Sequence, residues 1–106
     1  MINLDRVVGF QWDLGNSRKS TDKHGISQAE AEQVFANEPL LLVEDVAHSQ
    51  LEPRFHALGV TQVGRRLHVT FTLREANTLI RVISARSMSR KERTRYEQET
   101  QTDSRL

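Results

Sequence analysis

Two groups of side chains in this sequence have the types and spacing to do chemistry. The first centres on Arg81, set inside Leu79-Ile80-Arg81-Val82-Ile83, with Arg86 five residues on and Arg90, Lys91, Arg93 and Arg95 just beyond. A charge within an apolar run is costly unless it is paired or faces a cleft. In a cleft, a guanidinium can hold two phosphate oxygens at once. The competing reading is a structural ion pair with a carboxylate such as Glu52. Arg90 and Arg93 stand three apart and share a helix face, so several cations gather near one strand end as a groove for a polyanion backbone. The second group is Asp45, His48, Ser49, Glu52 and Arg54, in a loop entering a strand. A histidine titrating near neutrality, a carboxylate and a cation can supply a base, an orienting group and a fixed charge. The same residues also serve as loop caps and an exposed salt bridge.

Other chemistries are excluded or unsupported. The 106 residues contain no Cys, which removes disulfides, thiol nucleophiles and cysteine metal sites. There is no glycine-rich phosphate loop, no HExxH and no G-x-S-x-G. The four histidines, at 24, 48, 56 and 68, share no metal-ligand spacing. His56 and His68 fall at non-core positions of candidate strands and read as surface residues. No cofactor or metal is expected. The longest apolar run, Leu40–Val43, is too short for a membrane span or a signal peptide. The chain therefore reads as soluble and cytoplasmic. Its net charge of +1 conceals a strong asymmetry: residues 54–95 carry ten Lys/Arg against two Asp/Glu, while residues 1–53 carry four against nine. A basic segment inside a neutral chain points to one polyanion-facing surface.

The elements that must position these groups follow from periodicity. Val7–Trp12 reads as a short strand, and Asp13 caps a polar helix to about Lys23, ended by His24-Gly25. Ser27-Gln28-Ala29-Glu30 is a capping box opening a second helix, with Ala31, Val34 and Phe35 on one face and Pro39 after its end. Leu40–Val43 and Arg54–Val60 are candidate strands. In Arg66–Leu73 apolar residues alternate with His68, Thr70 and Thr72, predicting a half-buried strand. Leu79–Ala85 reads as a central strand with both faces covered. Ser89-Arg90-Lys91-Glu92 is a second capping box, starting a basic helix to about Glu99. The expected fold is α+β: a small antiparallel β-meander with two N-terminal helices and one C-terminal helix. Residues 1–99 form one domain and 100–106 a polar, frayed tail.

In series, these segments resemble the BrnT family of toxins. The resemblance rests on Phe10-Gln11-Trp12-Asp13, Lys23-His24-Gly25-Ile26-Ser27, His48-Ser49 with Glu52 and Arg54, and Leu58-Gly59. It continues through Ile80–Arg86 and Arg90-Lys91-Glu92-Arg93 with Tyr96-Glu97, so that it covers about residues 8–97. Departures include Leu14 where a Pro is frequent, Pro53 between Glu52 and Arg54, and His68 and Thr70 at commonly apolar positions. The resemblance implies a RelE-like fold and a ribonuclease activity that arrests translation. It also implies a BrnA-type antitoxin that masks the toxin and alone contacts operator DNA, in an assembly of two toxins with two antitoxins. For metal-independent RNA cleavage the expected catalytic set is His48, Glu52, Arg54, Arg81 and Arg86. Lys23, Arg90, Lys91, Arg93 and Trp12 are the expected RNA-binding set, although a lone Trp beside an apolar strand also reads as core. The alternative is a non-catalytic nucleic-acid-binding or antitoxin-docking module using the same basic face.

Overall fold

The computed structural model describes residues 3–13, 15, 24–48 and 52–101, with the backbone alone at His48. Its order is β1 (Gly9–Trp12), α1 (Gln28–Ala36), β2 (Leu41–Asp45), a 3-10 turn (Val46–His48), β3 (Arg54–Val60), β4 (Arg66–Arg74), β5 (Leu79–Ser87) and α2 (Arg90–Thr100). The helix expected over Asp13–Lys23 and the expected frayed tail lie, but for their first residues, outside the described residues. Gly25, expected to follow that helix in a left-handed conformation, has φ +65°.

The five strands form one sheet in the order β1-β5-β4-β3-β2. Strands β2 to β5 are the expected antiparallel meander, but β1 pairs parallel with β5, so the sheet is mixed. Parallel neighbours need a crossover rather than a hairpin, and here α1 and strands β2 to β4 lie between the two strands in the chain. β1 thereby covers what would be the β5 edge and makes the apolar β5 an interior strand.

Register fixes which side chains share a face, because partners across a ladder point the same way. One face carries Phe10, Trp12, Leu42, Phe55, Ala57, Leu67, Val69, Phe71, Ile80, Val82 and Ala85, and Ile26 and α1 pack on it through Ala31, Val34 and Phe35. Both helices begin with the expected capping boxes, Ser27 with Glu30 and Ser89 with Glu92. Phe35 meets Phe10 and Phe71 edge-on, at centroid distances of 5.6 and 5.1 Å. Fully burying side chains of this size contributes about 1.5–3 kcal/mol each, so the buried members of this layer hold α1 against the sheet.

The close approach of α1 depends on Gly59, where a Cβ would lie 2.8 Å from Val34 Cγ1 and 3.3 Å from the Val34 carbonyl oxygen. A β-branched neighbour on a helix has no free rotamer to retreat into. Gly59→Ala is therefore expected to destabilise the fold by about 1–3 kcal/mol, read as a lower denaturation midpoint; an unchanged midpoint would show that α1 sits further out.

Among the described residues, the opposite face is polar and is covered only at one end. There Met88 and Tyr96 pack with Leu58, Leu41 and Val60, and the Tyr96 hydroxyl donates to the Pro39 carbonyl at 2.6 Å. Glu97 of α2 pairs with Arg66 of β4. The half-buried character expected of β4 is corrected here: His68, Thr70 and Thr72 are buried as well. Their neighbours on the polar face are long arginines and stacked rings, which cover them without making the face apolar.

Candidate active site

The polar face is organised in rows across the sheet. Register places Asp45 beside Arg54, and Thr72 beside Arg81 with Gln11 beyond it. The next row runs Val43, His56, Thr70, Ser84, and the third Leu41, Leu58, His68, Arg86. Arg81 and Arg86 are an odd number of residues apart, so a regular strand would aim them at opposite faces. A bulge prevents this. Thr70 pairs with Ser84 but Phe71 pairs with Val82, leaving Ile83 as an extra residue. One extra residue restores both arginines to the same face.

Each arginine is held differently. Arg86 makes a two-pronged contact with Glu92, 2.8 Å on each prong. That contact holds the Glu92 carboxyl down at about 2, the effect of Arg86 outweighing burial, with the Ser89 backbone N–H adding to it; it also raises Arg86 further. Among the described residues Arg81 has only long contacts, 3.5 Å to Gln11 Oε1 and 3.4 Å to Asp13 Oδ2. Contacts of that length are weak, so Arg81 can exchange them for a phosphate at small cost. Glu52 pairs with Arg74 at 3.2 Å, not with Arg81 as considered from the sequence.

Two histidines lie between the arginines. His56 reaches Asp45 Oδ2 through Nε2 at 2.9 Å and Thr70 Oγ1 through Nδ1 at 3.0 Å. With its proton on Nε2, the ring donates to Asp45 and accepts from the Thr70 hydroxyl. His68 stacks on it, with centroids 4.7 Å apart. Burial pushes His68 down to about 4, only partly opposed by Glu92. It is therefore neutral near pH 7, and its 3.7 Å separation from Glu92 is no ion pair there. The expectation that both histidines are surface residues is corrected: His68 is 9% exposed and His56 half-buried. A hairpin centred on Val63 sets His56 opposite Thr70 and His68 opposite Leu58, so the turn position was the available signal. Arg74, Thr70 and Glu92 were likewise not singled out, and Asp45 ends a strand rather than sitting in a loop.

Of the expected site residues, Arg54, Arg81 and Arg86 come together on the open face, with Glu52 at its edge beside Arg74. Arg90, Lys91 and Arg93 are exposed on α2. Trp12 belongs to the other face, packed against the core with its indole N–H donated to Glu32 at 2.8 Å, as the core reading of this residue has it. Lys23 and the His48 side chain lie outside the described residues. Among the described residues, no three His, Asp or Glu side chains are gathered to hold a metal ion.

Residues 12–92, most of the chain and all three rows of this face but for Gln11, match the family model described as the ribonuclease toxin BrnT of type II toxin–antitoxin systems. The chain belongs to the BrnT family. A comparison with curated proteins finds no match. Among solved structures, the chain is similar to the Brucella abortus ribonuclease toxin BrnT, crystallised at 1.1 Å resolution, with 22% identity and a TM-score of 0.60. The likeness covers 79% of this chain and all of that one, and it supports the BrnT fold. Membership makes this chain a toxin of a type II system, with an antitoxin as partner. Among the described residues no helix is long and apolar enough to cross a membrane.

Proposed function

We propose that this BrnT-family chain is a RelE-like, metal-independent endoribonuclease that cuts RNA through attack of the substrate's own 2′-hydroxyl. The observation that carries the reading is the placement of Arg54, Arg81 and Arg86 on one open face. Cations fixed before reaction need no reorganisation as charge develops on the phosphorus. Arg81 binds the scissile phosphate, since its contacts among the described residues are longer than those of Arg86. Arg86, gripped by Glu92, is a rigid cation for a neighbouring phosphate. The 2′-oxygen bonds to phosphorus and the bond to the 5′-oxygen breaks, leaving a 2′,3′-cyclic phosphate and a 5′-hydroxyl. His48 takes the proton from the 2′-oxygen, and a proton is returned to the departing 5′-oxygen. Glu52, already beside Arg74, orients that end of the face.

RNA cutting in the cytoplasm would stop translation until a BrnA-type antitoxin, in a two-to-two assembly, covers the face. Operator DNA is contacted through the antitoxin only. The exposed cations Arg90, Lys91 and Arg93 extend the track for the RNA backbone. They also favour a second reading, in which α2 only docks an acidic antitoxin. Cleavage of an end-labelled RNA separates the two: a docking or binding module retains salt-sensitive affinity at most and yields no product. Loss of a general base typically costs 10² to 10⁴-fold. His48→Ala is expected to lower the cleavage rate at least tenfold, whereas an unchanged rate would move the base to Glu52 or leave the reaction without one.

A further inference from the structure

Beside the arginines, the polar face sinks into an open cavity of about 360 Å³. It is lined by Val43 and Leu58 with the stacked rings of His56 and His68. Two carboxylates, Asp45 and Glu92, and two guanidinium groups, Arg86 and Arg95, complete the lining. Apolar and ring surfaces lining one cavity together with acceptors and donors match a planar heterocycle that has both kinds of group on its edge. A bare phosphate would be served by the cations but not by the rings, and would meet the carboxylates as like charge. His68 is nine-tenths buried and lines this cavity. The cavity also adjoins the reaction face, because Arg86 belongs to both.

We propose that this cavity takes one unpaired nucleobase of the RNA, flanking the phosphate held by Arg81, and so decides which sites are cut. Recognition of single-stranded RNA works by stacking splayed bases on rings and guanidinium planes and by hydrogen-bonding their edges. The neutral His68 presents such a ring without adding charge. The base-selecting role rests on the RNA-cleaving reading above, whereas the binding of a base does not.

Two measurements on the whole chain test it. In the first, each of the four nucleoside 5′-monophosphates, and ribose 5-phosphate as the baseless control, is titrated while the ring protons of His56 and His68 are followed by NMR. At least one nucleotide is expected to move both rings, binding at least threefold tighter than the others, with ribose 5-phosphate moving neither. Equal shifts from ribose 5-phosphate would mean a phosphate site and overturn the proposal. In the second, cut sites are mapped for the wild type, for His56→Ala, and for Val43→Trp, which fills the cavity from the edge strand. The wild type is expected to favour one base next to the cut, and both folded variants to lose that preference at least fivefold. An unchanged ranking of sites in Val43→Trp, or no preference in the wild type, would overturn it. Nucleotide binding without RNA cleavage would support the cavity and remove the function. Cleavage with neither nucleotide binding nor base preference would do the reverse.

Discussion

Arg81→Ala is expected to lower RNA cleavage at least a hundredfold and to abolish growth arrest while the protein stays folded. The size follows from removing one preorganised donor from a developing oxyanion, which typically costs 10² to 10³-fold. The folded state should tolerate the change, because among the described residues Arg81 has only long contacts, with Gln11 and the half-exposed Asp13. Such a pair is worth about 0–1 kcal/mol, and Thr72 beside it keeps its own bond to the Pro53 carbonyl. Circular dichroism checks the fold and a labelled RNA checks the rate. A folded Arg81→Ala protein cutting at the wild-type rate would make this arginine structural.

The second large effect is a loss of stability in acid that starts well above the usual carboxylate range. His68 titrates at about 6.5 when exposed and about 4 in the fold, because burial disfavours its charged form. Between those values the unfolded chain binds the extra proton, so stability falls as pH drops from 6.5 to 4. The shift corresponds to a loss on the order of 3 kcal/mol. Glu92 acts in a lower window. Its carboxyl, held near 2 mainly by Arg86, adds stability above about 4.5 that is lost as pH falls through 2. Denaturant midpoints from pH 7 to pH 4 should show the first loss in the wild type and its disappearance in His68→Phe, which keeps a flat ring. A wild-type profile flat across that range would mean that His68 is hydrated in solution.

The strands of the meander were legible in the sequence because their periods are strong. Arg54–Val60 was read with the bounds the structure has, and both capping boxes stand where Ser and Glu were three apart. Position relative to other strands was less legible. Nothing local in Val7–Trp12 says that it pairs parallel with β5, since that contact joins residues about seventy apart. The shared face of Arg81 and Arg86 was hidden for a related reason. Strict alternation separates them, and only the bulge at Ile83 reunites them. The histidines were misread because alternation identifies the polar face of a strand but not what covers it. In β4 that cover comes from His56 on β3 and from Arg86 and Glu92, near in space and distant in sequence.

The central claim is that this face cleaves RNA through the substrate's 2′-oxygen. Purified, antitoxin-free protein incubated with a labelled RNA, in EDTA and without ribosomes, tests it most directly. Discrete fragments ending in 2′,3′-cyclic phosphate are expected, with their yield lost in Arg81→Ala. Intact RNA from folded protein, both in that mixture and with translating ribosomes added, would contradict it and leave a module that only binds.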